Sequence, residues 1–144
     1  VNDSMSQLMK EYGTKVKVVW RHKPLPFHAD APLAHQAAME AFAQQGNKGF
    51  WAMHDKLFAG QKEPGIQRPQ LEKYAEEIGL DLGKFKQALD ASTHKARIDK
   101  DAQESDKVGI SGTPAFVING YYLSGAQPYA KFKKLVELAL KEAR

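Results

Sequence analysis

The segment Gly109-Ile110-Ser111-Gly112-Thr113-Pro114-Ala115-Phe116-Val117-Ile118-Asn119-Gly120-Tyr121-Tyr122-Leu123-Ser124-Gly125 constrains the fold more than any other part of the chain. It reads as a tight loop ending in Thr-Pro, a short apolar strand, an Asn-Gly turn and a second short strand. Asn-Gly between apolar runs is a strong hairpin signal, because both central residues of that turn take positive φ. Thr113 precedes a proline and is pushed toward extended backbone. Such a loop offers a backbone surface for recognition.

The rest of the chain reads mostly as helices. Val1, Met5, Leu8, Met9 and Tyr12 recur at helical spacing, and Gly13 follows as a stop. Val16, Val18, Val19 and Trp20 mark a mostly buried strand over Lys15–Trp20, ended by Pro24 and Pro26. Asp30 is the expected cap of a helix entered through Pro32. Gly46 and Gly49 bracket a break before an aromatic-rich helix around Phe50 to Phe58. Pro69 opens the next helix, and Gly79 ends it. Asp81 caps Leu82 to Leu89, and Ser92 or Thr93 caps a polar helix reaching about Val108. After the hairpin, Phe132, Leu135, Val136, Ala139 and Leu140 form the core stripe of a last helix that starts at Pro128.

At 144 residues the length suggests one domain, large enough to bury a core without staples. The net charge of +4 is spread along helices without a basic block, which gives little support to nucleic-acid binding. No apolar run approaches the roughly 18 residues of a membrane span. No segment reads as a signal peptide, and the first residue is Val1 rather than Met, so the chain is expected to have been processed or cut from something longer. There is no cysteine, which removes disulfides, thiolate catalysis and cysteine-ligated metals from the residues given.

Other chemistry finds little support. The five histidines, among them His22, His28, His35, His54 and His94, lack metal-ligand spacing. His54 reads as a hydrogen-bonded packing residue and His94 as a solvated residue in a helix's first turn. Asp55, Glu76, Glu77 and Glu104 fall where solvated helix faces are expected. No serine sits in a Gly-X-Ser-X-Gly elbow. The Gly-rich loop lacks the lysine of a phosphate cradle. Phe50, Trp51, Phe58 and Tyr74 read as core, with a client groove as the alternative.

Three segments carry a family resemblance: Val18 to His28, Phe50 to Phe58, and Val108 through Gly125 into the last helix. Together, over nearly the whole chain, they resemble the DsbA-like branch of the thioredoxin superfamily. The resemblance implies an α/β thioredoxin-like core, residues 1–28 and 109–144, interrupted by a helical insertion, 29–108. It implies a cis bond at Thr113-Pro114, with Gly112, Thr113 and Pro114 positioning an extended protein or peptide client. It also implies disulfide exchange in the periplasm or another extracytoplasmic space.

Family members carry a Cys-X-X-Cys at the start of the first core helix, after the first strand. Residues 1–12 match the remainder of that helix. The first strand and the dithiol are therefore expected to be missing, leaving no catalytic residue, no cofactor and no metal in the chain given. A helix N-terminus is where a thiol becomes a thiolate, through unpaired N–H groups and partial positive charge. The resemblance places the absent strand between Lys15–Trp20 and Ala115–Ile118, so sheet rearrangement or a homodimer through unpaired edges is expected to fill the slot. Two alternatives remain: a redox-dead thioredoxin-like module that binds peptides or partners, and a glutathione-transferase-like relative using serine. A basic nucleic-acid module is a more distant third.

Overall fold

The computed structural model describes residues 2–143. The chain forms two compact units, one made of Val1–Trp20 with Ser105–Arg144 and the other of Arg21–Glu104. Val1, read above as part of the first apolar stripe, lies outside the described residues.

The first unit holds α1 (Asn2–Tyr12), a 3-10 turn (Gly13–Lys15), β1 (Ala115–Ile118), β2 (Tyr121–Ser124) and α6 (Tyr129–Glu142). Its core is built on Leu8 of α1 and on Phe132 and Val136 of α6, with Phe116, Ile118 and Leu123 of the hairpin packed against them. Phe116 meets Phe132 edge to face with centroids 4.8 Å apart. Phe116 and Ile118 share one face of β1 because strand side chains alternate. Val117 and Tyr122 pair on the other face and are largely exposed.

Lys15–Trp20 is not a strand. Gly13–Lys15 is the 3-10 turn, and residues 16–20 form no ladder. Val16 is nonetheless extended, with φ −126° and ψ 136°. Residues 16, 18 and 20 are partly buried while 17 and 19 are exposed. The period of two that suggests a strand is real, but a strand also needs a neighbouring strand, and among the described residues none forms a ladder with it. Among the described residues the sheet has two strands, β1 and β2, so no rearrangement brings the segment into it.

The second unit holds α2 (Ala31–Ala59), α3 (Arg68–Glu77), α4 (Leu82–Asp90) and most of α5 (Lys95–Lys107). Met53, Leu71, Phe85 and Ile98 are its buried centre. The two helices expected on either side of Gly46 and Gly49 are one kinked helix. Gly46 carries the kink, with φ 63° and ψ −149°, a combination open essentially to glycine alone. A Cβ on Gly49 would collide with the Ala41 carbonyl oxygen, so Gly49 lets the second arm close on the first.

Capping follows the sequence in part. Asp81 accepts a hydrogen bond from the Lys84 amide at 2.9 Å, as expected of an N-cap. Asp30 makes no cap bond; its carboxylate instead accepts from Gln67 Nε2 at 3.1 Å. Neither Ser92 nor Thr93 opens α5. Ser92 has φ 49°, and the amides of Ser92 and Thr93 donate to Leu89 and Ala88 carbonyls. That pattern is a Schellman close of α4, with serine where glycine usually stands. Gly79 and Gly109 close α3 and α5 in the same way.

Candidate functional site

Of the glycines around Thr113-Pro114, three serve the backbone. Gly109 ends α5, Gly120 (φ 94°) completes the turn with Asn119 (φ 46°), and Gly125 (φ 78°) ends the hairpin. Gly112 has no such duty. Its φ lies outside the left-handed region, and a Cβ there would meet no atom within 4 Å. Gly112, Thr113 and Pro114 are all exposed. The Thr113–Pro114 peptide bond is cis, as is Glu63–Pro64.

The register decides which backbone groups face outward. Ile118 pairs with Tyr121 across a two-residue turn, so Ile118, Phe116 and Pro114 point their polar groups toward β2. The Gly125 amide donates to the Pro114 carbonyl at 2.9 Å, which confirms that phase. Pro114 supplies the acceptor its partner needs and has no N–H to leave unmatched, the position a strand-end proline tolerates. Thr113, Ala115 and Val117 then point their amides and carbonyls off the outer edge of β1. Thr113 has no hydrogen-bond partner among the described residues. The arrangement is an exposed loop that presents the Thr113 backbone ahead of β1, chemically suited to a single rung of β-pairing with an extended chain. The loop carries no thiol, carboxylate or imidazole; its polar side chains are the Ser111 and Thr113 hydroxyls.

The second unit contains a buried polar network that spacing could not reveal. His22 and His35, thirteen residues apart, meet Nδ1 to Nδ1 at 2.8 Å. Burial lowers both imidazoles to about 4, and for His22 the neighbouring His35 adds to the effect. Both rings are therefore neutral at pH 7, and one donates to the other. Asp101, 2% exposed, accepts from Arg21 Nη1 at 3.0 Å and from the His22 amide at 3.2 Å, and lies 3.5 Å from Arg97.

His94 is not solvated. Its Nε2 lies 2.7 Å from buried Glu40, and its amide donates to Gln36 at 3.0 Å. His54 is buried beside Phe50, Trp51 and Phe58, with Nδ1 3.0 Å from Asp55. Among the described residues no group of three or more His, Asp or Glu side chains could hold a metal ion. The contacts of Asp101 with Arg21 and His22, and of His94 with Gln36 and Glu40, cross 54 to 80 positions of sequence, so only a hydrophilic residue in an apolar context could have hinted at them.

The first unit thus sets a hairpin between two helices beside an exposed Thr-Pro loop. The DSBA-like thioredoxin domain model matches residues 1–137, and the chain belongs to that family. Proteus mirabilis ScsC in a compact conformation superposes with a TM-score of 0.76 and 26% identity, covering 99% of this chain and 76% of that one. A thioredoxin-like oxidoreductase from Silicibacter pomeroyi DSS-3 gives a TM-score of 0.79 and 25% identity, covering 96% and 78%.

Curated relatives have other names. The chain is 42% identical over 118 residues to Na(+)/H(+) antiporter NhaA 3 of Salinispora tropica, covering 81% of this chain and 17% of the antiporter. It is 33% identical over 123 residues to Na(+)/H(+) antiporter NhaA of Herminiimonas arsenicoxydans, covering 85% and 19%. The chain thus spans about a fifth of the curated relatives it matches. No helix among the described residues is long and apolar enough to cross a membrane.

Proposed function

We propose that this domain presents the client-docking half of a DsbA-like thiol–disulfide oxidoreductase, acting on extended protein segments outside the cytoplasm. The observation that carries the reading is the exposed Gly112-Thr113-Pro114 loop, whose cis bond at Pro114 and unpartnered Thr113 backbone offer one pairing rung and whose Gly112 has no duty to the fold. Family membership supports it. The residues given contain no cysteine, so they carry out no dithiol exchange themselves. The outer edge of β1 is where two copies of the chain would pair as a homodimer.

The test is an NMR titration with reduced, alkylated ribonuclease A as an unfolded client. Amide shifts should concentrate at Gly112, Thr113 and Ala115, the residues at and beside the Thr113-Pro114 bond. Gly112→Ala should weaken binding several-fold while leaving the melting temperature unchanged, because the added methyl meets no atom of the fold. Shifts elsewhere, with this loop silent, would sink the reading. In an insulin-reduction assay the chain should stay at background.

A second reading concerns the polypeptide. The match to proteins named Na(+)/H(+) antiporters, over about a fifth of their length, favours a module within a larger membrane transporter. In a native host, an antibody against this domain should then detect a band several times larger than this chain in the membrane fraction. A band of this chain's size in the soluble fraction alone would exclude it.

A further inference from the structure

The hairpin has a second edge, on β2, and three observations meet there. Tyr122 and Ser124 lie in the non-hydrogen-bonded phase of the hairpin, so their amides and carbonyls point away from β1. The Ser124 carbonyl is taken by Gln127 Nε2 at 2.7 Å. The Tyr122 amide and carbonyl have no partner among the described residues. Along this edge runs a groove of about 330 Å³ lined by Tyr122, Leu123, Lys131, Lys134 and Leu135, with no β1 residue in its wall.

The third observation is charge. At 100° per residue, Lys131, Lys134, Leu135, Leu138 and Lys141 fall within about 120° of one another on α6, opposite the core stripe of Phe132, Val136 and Ala139. Lys131 and Lys134 are exposed and have no side-chain partner among the described residues. Lys133 differs: it points elsewhere and is held by Glu11 at 2.5 Å. Glu142, the acid on the basic face, is engaged by the Tyr121 hydroxyl at 2.6 Å. The groove therefore has an apolar floor, two uncompensated ammonium groups beside it and an open backbone rung.

We propose that this groove takes an extended acidic segment of a partner protein, added as a strand to the outer edge of β2. Residues two apart in a strand share a face. A Glu-X-Leu-X-Glu pattern would seat the leucine between Tyr122 and Leu135 and bring its carboxylates to Lys131 and Lys134. A second copy of this chain is a poor occupant, because a two-fold contact would bring the same lysines together. Lysines beside an open edge also repel non-specific pairing, which makes the edge selective for acidic strands. The proposal is independent of the Gly112–Pro114 reading, which uses the loop ahead of β1.

The probe is a dye-labelled peptide, Thr-Glu-Thr-Leu-Thr-Glu-Thr, followed by fluorescence anisotropy. It should bind, and affinity should fall several-fold between 50 and 300 mM NaCl. The double variant Lys131→Glu with Lys134→Glu should lose at least ten-fold. The control Lys48→Glu with Lys62→Glu changes the net charge equally, on exposed residues of the other unit, and should keep near wild-type affinity. Peptides N-methylated at alternate amides should split, one phase binding and the other not.

No binding at millimolar peptide, an unchanged affinity in the Lys131/Lys134 variant, or equal binding of both methylated phases would overturn the proposal. So would binding to phosphatidylglycerol vesicles through these lysines without peptide binding, which would make the face a membrane contact. A wild-type dimer lost on Lys131/Lys134 reversal would likewise reassign it to a second copy.

Discussion

His22 and His35 share one hydrogen bond, Nδ1 to Nδ1 at 2.8 Å, inside the helical unit. The bond exists only while one ring offers a bare nitrogen. Asp101 raises the His22 value, while Arg97 and His94 lower it, and desolvation outweighs them all. Both folded values are about 4, against 6.5 for a free imidazole.

This pair predicts acid sensitivity with a defined sign. Below pH 6.5 the unfolded chain takes up protons that the folded one refuses. Stability is complete above about pH 6.5 and drains away between about 6.5 and 4, with an upper bound of about 1.4 kcal/mol per pH unit for each ring. Urea titrations at pH 7, 5.5 and 4.5 should show the decline, and His35→Gln should flatten it by about one proton. A midpoint that does not move between pH 7 and 5 would refute the assignment.

Removing Asp101 should cost more than a surface acid. Asp101→Ala leaves the buried His22 amide without its acceptor, while the half-exposed Arg21 keeps Glu104 at 3.5 Å. The expected loss is about 1–3 kcal/mol by chemical denaturation. Asp99→Ala, on an exposed pair with Lys95, should change stability by less than about 0.5 kcal/mol.

The kink in α2 should resist substitution at two positions for two reasons. Gly46→Ala forces a side chain onto a φ of 63° with ψ −149°, at a cost of about 2 kcal/mol. Gly49→Ala drives a methyl into the Ala41 carbonyl, costing about 1–3 kcal/mol. Gly83→Ala, whose Cβ would meet only the Asp81 carboxylate at 3.3 Å, should be near neutral or slightly stabilising. Melting curves of the three variants separate these effects.

Phe132 joins α6 to the hairpin. It is fully buried and edge-on to Phe116. Phe132→Ala should destabilise the unit by about 3–5 kcal/mol. The exposed Leu138→Ala should cost under about 1 kcal/mol, which calorimetry can distinguish.

Local signals were legible because their causes are local. The Asn119-Gly120 turn, the Asp81 cap, the stop at Gly79 and the stripe of α6 each depend on a few neighbouring dihedrals or on one periodicity. The family resemblance rested on the same short segments. Lys15–Trp20 shows the limit. Its alternation is visible in the chain, yet a ladder is a property of two segments, and its partner is not among these residues.

Sequence alone therefore determined the helices, the hairpin, the Thr-Pro loop and the absence of thiol chemistry in these residues. Tertiary structure decided which backbone groups of the hairpin face outward, which lysines of α6 stayed without an ion-pair partner, that His22 joins His35 and Asp101, and that His94 meets Glu40 rather than solvent. The reason is range: turns and caps are settled within a few residues, whereas burial, pairing and proton affinity depend on neighbours that only folding brings together.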